Sequence, residues 1–352
     1  MSDRARYLPG IAPEELTDFL LECGEKKFRA RQIFSWLYER CVFDPAEMNN
    51  LPLALRDRLC GIFAAPRSSV AEAVSGSGGT EKLLIRLDDG ETIEMVLIPA
   101  PERMTFCLST QVGCPVRCRF CASGRDGLVR NLRCDEMLEE FYHGVRRLGR
   151  LPDNLVFMGI GEGLLNFDHL ARVLTVLTAP APEGFAMSPR RITVSTSGFV
   201  PGMRKFAELG RPFNLAVSLH AVDDETRARL IPDFCRYPLA EILAMAELYR
   251  EKSGRMVTFE YTLAAGINDD PAMARKLGLL AAKHHAKVNL IACNPVEGSE
   301  LHRPEPNVLE AFRRAVEEHC ASVTMRVEKG GSAASACGQL RIRRKSGEGT
   351  LQ

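Results

Sequence analysis

No stretch of this sequence approaches the roughly 18 consecutive apolar residues that a membrane span requires. The first ten residues, MSDRARYLPG, lack the basic, then apolar, then small-residue order of a secretory signal. A cytoplasmic protein with no membrane association is therefore expected. Net charge is almost absent, +1 from 46 basic and 45 acidic residues. That excludes a globally basic nucleic-acid binder but leaves room for local basic patches. Residues 326–346 form one, with six Arg and Lys against Glu328 alone. Such a patch serves as a solvated terminus as readily as a polyanion contact. Tryptophan occurs only at position 36, and no fixed-period repeat or long low-complexity tract is present.

Cysteine, by contrast, is plentiful, with twelve among 352 residues. In a long chain without a secretory signal they argue against a disulfide scaffold and for metal or catalytic use of some. Cys23, Cys41, Cys60, Cys134, Cys235, Cys293 and Cys320 stand alone in the sequence, and each reads as buried filler. The run CLSTQVGCPVRCRFC, residues 107–121, is different. Cys114, Cys118 and Cys121 are spaced C-x3-C-x2-C, and Cys107 stands seven residues upstream. A structural zinc site calls for four closed ligands, usually two C-x2-C pairs, and no second pair follows downstream. A [4Fe–4S] cluster takes cysteine thiolates on its irons, and three ligands leave one iron open.

An apolar fraction of 45% is ordinary for a soluble protein with a sizeable core. The length favours one large domain with a small accessory. APEELTDFLLEC, KKFRARQIFSWLYERC and LPLALRDRLCGIF have helical spacing and predict a small helical domain over residues 1–63. The Ala-, Ser- and Gly-rich residues 64–81 read as a connection. KLLIRLDDGETIEMVLIP then predicts a hairpin turning at Asp-Asp-Gly, within an extension over residues 64–100. From residue 101 to 345, six short apolar runs alternate with helical segments: TFCLST, NLVFMG, RITVSTS, FNLAVSLH, TFEYTL and KVNLIAC. That rhythm predicts an α/β fold, a parallel (β/α)6 partial barrel with its functional groups at the C-terminal strand ends. Cys114, Gly161, Glu162, Ser195, His220 and Asn294 lie just past those runs. VFMGIGEG is a strand entering a glycine-rich turn, where backbone lies open to a ligand and Glu162 can pair with an ammonium group. Taken singly, each of these residues is as well explained as a satisfied polar group at a strand end.

CPVRCRFC resembles the cluster motif of radical S-adenosylmethionine (SAM) enzymes. RMTFCLSTQVGCPVRCRFCASGRDGLVRNL, FMGIGEGLLN, RITVSTSGFVPGM, AVSLHAVDDETR and SACGQL together resemble the RlmN/Cfr family of RNA adenine methyltransferases. KKFRARQIFSWLYERC resembles that family's N-terminal RNA-binding helices, so the resemblance spans nearly the whole chain. It implies that Cys114, Cys118 and Cys121 hold a [4Fe–4S] cluster whose open iron takes SAM. It also implies SAM contacts at Gly161, Glu162, Ser195, Ser218, Leu219, His220 and Asn294. In this family Cys337 of SACGQL matches a methyl carrier. A first SAM methylates its sulfur, and a deoxyadenosyl radical from a second SAM activates that methyl group to add to adenine. Cys107 matches the thiol that resolves the resulting protein–RNA adduct through a transient disulfide, and Glu94 matches a proton acceptor.

The expected substrate is an adenosine of 23S rRNA or tRNA, methylated at carbon 2 in the RlmN manner or at carbon 8 in the Cfr manner. The expected partners are that RNA and a flavodoxin- or ferredoxin-type electron donor, with the enzyme a monomer. A non-catalytic RNA-binding protein with a structural iron–sulfur site would need neither Cys107 nor Cys337. A radical SAM enzyme acting on a small molecule would need no methyl carrier. The chain departs from the family pattern at Gly163, where proline commonly follows Gly-Glu, at Ala292–Cys293, where proline and an aromatic are usual, and at Gly331–Ser332, ahead of the carrier motif.

Overall fold

The structure is a computed structural model that describes residues 7–65, 67–232, 237–294 and 299–326. Three short helices come first: α1 (Pro13–Glu22), α2 (Phe28–Phe34) and α3 (Leu53–Ile62). α1 starts on a proline at its first turn, followed by Glu14 and Glu15, which suit the positive end of the helix. α2 continues into a widened π turn over Ser35–Glu39, and this turn buries Trp36, Leu37 and Tyr38. These helices share one continuous apolar core with the rest of the chain. Tyr38 packs edge-on against Phe185 at 5.3 Å, and its hydroxyl accepts a hydrogen bond from the Gly10 N–H at 3.0 Å.

Four antiparallel strands follow: β1 (Ser69–Ser75), β2 (Glu81–Arg86), β3 (Thr92–Ala100) and β4 (Arg103–Cys107). The hairpin expected around Asp-Asp-Gly is the β2–β3 pair. β1 falls inside the segment expected to be a connection. It is an edge strand with no buried residue, so it carries no apolar alternation that sequence reading could detect. A small antiparallel pair, β5 (Gln111–Gly113) and β6 (Leu128–Asn131), encloses the cysteine loop.

The chain then alternates through α4 (Cys134–Leu148), β7 (Asn154–Phe157), α5 (Phe167–Thr178), β8 (Ile192–Thr196), α6 (Val200–Glu208), β9 (Asn214–Ser218), α7 (Asp224–Leu230), α8 (Leu239–Ser253), β10 (Thr258–Leu263), α9 (Pro271–Lys283), β11 (Lys287–Ala292), α10 (Pro306–Glu317) and β12 (Val323–Arg326). The six runs predicted to be parallel strands are β4, β7, β8, β9, β10 and β11, and they lie side by side in that order. β12 adds a seventh parallel strand beyond β11. With β1 to β3 on the other flank, the result is one ten-stranded mixed sheet whose edges, among the described residues, are β1 and β12.

Side chains alternate across this sheet with period two. Leu215, Val217, Phe259, Tyr261, Val288 and Leu290 enter the main apolar core, whereas Ser218, Glu260, Thr262, Asn289 and Ile291 face a cavity on the opposite side. The same alternation continues through β3 and β4. Met95 and Phe106 pack against Gly144 of α4, and the intervening Glu94, Val96 and Cys107 take the other face. Helix ends are set locally: Asp270 caps α9 through the Ala272 and Met273 N–H groups, and Gly149 ends α4 in the left-handed conformation.

Of the isolated cysteines, Cys134, Cys293 and Cys320 are buried as expected, Cys23 and Cys41 are half-buried, and Cys60 is exposed. Cys60 lies on the solvent side of α3, whose buried residues are Leu55 and Leu59. Cys235 and the carrier candidate Cys337 lie outside the described residues. No helix among those described is long and apolar enough to cross a membrane. A Cβ added at Gly144 would meet Met95 Cε at 2.1 Å and Phe106 Cε2 at 2.6 Å. Gly144→Ala is expected to lower stability by about 1–3 kcal/mol through overpacking, read from the midpoint of denaturant unfolding.

Candidate active site

The cysteine loop is built on the β5–β6 pair. Gly113 closes it: its φ is 74°, and a Cβ there would meet the Gly127 carbonyl oxygen at 2.0 Å. Cys114 N–H donates to that same carbonyl at 2.9 Å, Cys121 N–H to Cys118 O at 3.0 Å, and Arg119 N–H to Leu230 O at 3.0 Å. Cys114, Cys118 and Cys121 thereby line one side of a cavity of about 310 Å³. Among the described residues, no three His, Cys, Asp or Glu side chains converge as a single metal ion would require. Three cysteines on one loop facing one pocket suit a cluster that takes thiolates on its irons. Burial pushes the Cys114 thiol up to about 12 and Cys118 well above its ordinary value, and the neighbouring cysteines add to both shifts. Metal binding here must therefore displace protons.

The opposite walls come from the strand ends. Gly161, Glu162, Ser195, Ser218, His220 and Asn294, all expected as SAM contacts, line the same cavity. Leu219 is buried beside them without lining it, and its N–H donates to Glu260 O at 3.0 Å. Gly161 has φ 116°, and a Cβ would come within 2.7 Å of Gln111 Cβ and Thr110 Oγ1. This turn therefore requires glycine. Glu162 is buried, and its carboxylate accepts from Ser197 N–H at 2.6 Å, Ser197 Oγ at 2.7 Å and Leu164 N–H at 3.3 Å. Burial raises its pKa, opposed mainly by those Ser197 donors.

His220 adopts φ 58°, and its Nδ1 accepts from Thr262 N–H at 3.0 Å. Burial lowers its pKa to about 3, with the Arg227 charge acting in the same direction. The ring is therefore neutral at physiological pH with its proton on Nε2. Phe120 meets it edge-on at 4.6 Å.

Several site residues escaped the sequence reading. Gln111 ties the two halves of the site together: its Nε2 donates to Asn131 Oδ1 at 2.8 Å, and its Oε1 accepts from Glu162 N–H at 2.8 Å. Ser197 lies two residues past the expected Ser195. Ser218, Glu260, Asn289 and Thr324 form one row across β9 to β12. Thr324 Oγ1 donates to Asn289 Oδ1 at 2.9 Å, and Asn289 Nδ2 donates to Glu260 at 2.6 Å. Burial raises Glu260 to about 7. For Glu260, Asn289 and Thr324 the signal was a polar residue alternating with apolar ones inside a strand; Gln111 and Ser197 carried no such signal, and Ser218 was among the expected contacts.

Glu94 and Cys107 do not line the cavity. Both are buried on the adjoining part of the same sheet face, where Cys107 pairs with Val156 of β7. Two residues further along β7's direction, Met158 lines the cavity.

A cysteine triad facing a glycine-rich acidic turn across the ends of parallel strands defines a radical SAM enzyme. The model of the Radical SAM superfamily matches residues 108–277, and that of the ribosomal RNA large subunit methyltransferase N-terminal domain matches residues 7–64. The chain belongs to the RlmN family of dual-specificity RNA methyltransferases. It is 44% identical over 340 residues to a probable dual-specificity RNA methyltransferase RlmN of Symbiobacterium thermophilum, covering 96% of this chain and 91% of that one. It is 40% identical over 365 residues to the dual-specificity RNA methyltransferase RlmN of Sorangium cellulosum, with 93% of each covered. The crystal structure of a radical SAM methyltransferase from Sphaerobacter thermophilus superposes with a TM-score of 0.88 at 38% identity, covering 95% of this chain and 98% of that one. The protein is thus a radical SAM RNA methyltransferase, and the family brings with it an iron–sulfur cluster, SAM and an RNA substrate.

Ser197→Ala removes the hydroxyl donor to buried Glu162. It is expected to weaken SAM binding about tenfold, near 1.4 kcal/mol, measured by equilibrium dialysis on the cluster-loaded protein. Unchanged affinity would assign Ser197 to packing alone.

Proposed function

We propose that the protein methylates carbon 2 of an adenosine in 23S rRNA, tRNA or both, using Cys337 as methyl carrier, Cys107 as resolving thiol and Glu94 as proton acceptor. The observation that carries this reading is the single cavity gathering Cys114, Cys118 and Cys121 with Glu162, Ser195, Ser218, His220 and Asn294. In this reading the three cysteines hold one [4Fe–4S] cluster per chain. Gly161, Glu162, Ser195, Ser218, Leu219, His220 and Asn294 hold SAM, with the Glu162 carboxylate toward its ammonium group. When bound, the cluster and SAM supply both the methyl group and the one-electron chemistry that makes it reactive toward an aromatic carbon.

The chain's own residues do the rest. Cys337 receives and carries the methyl group on its sulfur. Glu94 takes the proton that leaves the adenine ring carbon. Cys107 attacks the Cys337 sulfur as a thiolate, so the methylated RNA leaves as a disulfide forms; this is ordinary thiol–disulfide chemistry. The placement of Glu94 and Cys107 on the face that continues into the cavity wall favours this division of labour. The neutral His220 ring accepts from the Thr262 N–H on one side and keeps its Nε2–H as a donor on the other. RNA recognition in a chain of net charge +1 rests on shape, local basic patches and extrusion of the target base. Residues 1–63 serve as the RNA-binding part, 64–100 as the extension and 101–345 as the catalytic part. A monomer in the cytoplasm, reduced by a flavodoxin- or ferredoxin-type protein, completes the reading.

Two variants separate the cysteines. Cys337→Ala should retain the cluster's visible absorbance and yield no methylated RNA, whereas continued methylation would refute the carrier assignment. Cys107→Ala should accumulate protein covalently joined to RNA, seen as a slow-migrating band that nuclease removes; normal turnover would reduce Cys107 to packing. Mass spectrometry of digested RNA distinguishes 2-methyladenosine from the carbon-8 product.

A further inference from the structure

Lys82 is a buried lysine outside the site described above, 3% exposed on β2. Lysine is almost never buried so fully unless its charge is paired. Strand register places it. Lys82 stands opposite Val96 on β3, and Val96 stands opposite Cys107 on β4, so the three form one row across antiparallel strands with side chains on the same face. Leu84 is paired on both sides, with Glu94 of β3 and with Glu72 of β1. Both carboxylates are therefore diagonal neighbours of Lys82, about 7–8 Å away between backbones and within a lysine's reach. Glu94 is buried and Glu72 half-buried. This is not the apolar core face: Leu83, Ile85, Met95, Leu97 and Phe106 join the main core, and Leu84, Val96 and Cys107 do not. One face thus carries a cation, two carboxylates and a thiol, and of the two carboxylates Glu94 is the enclosed one, on the strand between Lys82 and Cys107.

We infer that Lys82 is a positioning residue of the resolution step: its ammonium group aims the Glu94 carboxylate and supplies the positive charge beside which the Cys107 thiolate forms. The inference rests on the roles proposed above for Glu94, Cys107 and Cys337. Before that step the adduct gives up its unpaired electron to the oxidised iron–sulfur centre that the family supplies, and the proton on the adenine ring carbon passes to Glu94, leaving a closed-shell thioether on an aromatic ring. Cys107 sulfur, having lost its own proton, bonds to Cys337 sulfur. The bond between Cys337 sulfur and the RNA-borne carbon breaks, and its electron pair stays with that carbon, which takes a proton to become the methyl group. The Cys107 thiolate and the Cys337 thioether sulfur are together oxidised to a disulfide, and the carbon is reduced by the same two electrons. A fixed cation nearby favours the thiolate and orients the proton acceptor.

The test uses the full chain with its cluster, SAM, a reductant and an RNA transcript bearing the target adenosine, comparing Lys82→Met, Lys82→Arg and Cys107→Ala with wild type. Lys82→Met should form deoxyadenosine and S-methylcysteine at near wild-type rates, release methylated RNA about tenfold more slowly, and accumulate the nuclease-sensitive protein–RNA band. Lys82→Arg, which keeps the charge, should restore most of the release and little of the band. Normal release by Lys82→Met alongside a trapped band in Cys107→Ala overturns the role of Lys82 alone. Normal turnover by Cys107→Ala overturns the underlying reading instead. If Lys82→Met loses its cluster, Lys82→Gln replaces it. Should that variant lose it too while Lys82→Arg does not, Lys82 is a structural counter-ion and the inference falls.

Discussion

β4 is hydrogen-bonded on both edges, antiparallel to β3 and parallel to β7, and the active site depends on that double pairing. Register leaves no freedom: a slip of one residue would exchange every side chain between faces. Phe106 would leave its place against Gly144 of α4, and Cys107 would enter the apolar core. Because β4 runs on through Ser109 to Gln111, the same register sets where the cysteine loop begins. Ser109 secures the junction, donating from Oγ to the Glu94 carbonyl and accepting from the Ile160 N–H. The antiparallel strands and the parallel ones are therefore held as one surface at the point where Cys107, Glu94 and the start of the cysteine loop adjoin.

Around that junction nearly every buried polar group has a defined partner. Asn166 donates to the Thr110 and Leu132 carbonyls, Asn268 to the His220 and Thr262 carbonyls, and Gln111 joins the β6 strand to the Glu162 turn. In a low-dielectric pocket such networks resist distortion, because breaking one bond strands a desolvated group. The polar walls can hold a charged ligand, and burial across from them raises the Cys114 and Cys118 thiols above their ordinary values. The substitutions that mark this chain fit the same frame. Gly163 starts a short helical turn beside Leu170, and Ala292 and Cys293 are fully packed at the end of β11.

Much of this was legible in the sequence. The six parallel strands and the paired extension strands announced themselves through apolar runs, because each buries at least one face. β1 was not legible, since an exposed edge strand leaves no apolar signature. β12 was hidden by its brevity, and β5 and β6 by lying within a loop chosen for its cysteines. Ser195, His220 and Asn294 could be placed at strand ends in advance, while Ser197 and Gln111 could not. Their importance comes from hydrogen bonds across 35 and 51 residues of chain, which no local pattern encodes.

By itself the sequence determined which reactive groups are present and how they are spaced: three clustered cysteines, two further cysteines in motifs that resemble the family's, and alternating strands and helices to carry them. These are properties of residue type and spacing, which survive without coordinates. Tertiary structure decided what meets what. It brought the cysteine loop and the ends of β7 to β11 around one cavity, gave His220 its neutral form by burial, and set Lys82, Glu94 and Cys107 on a common face. Those outcomes depend on strand register and desolvation, and both exist only once distant segments have paired.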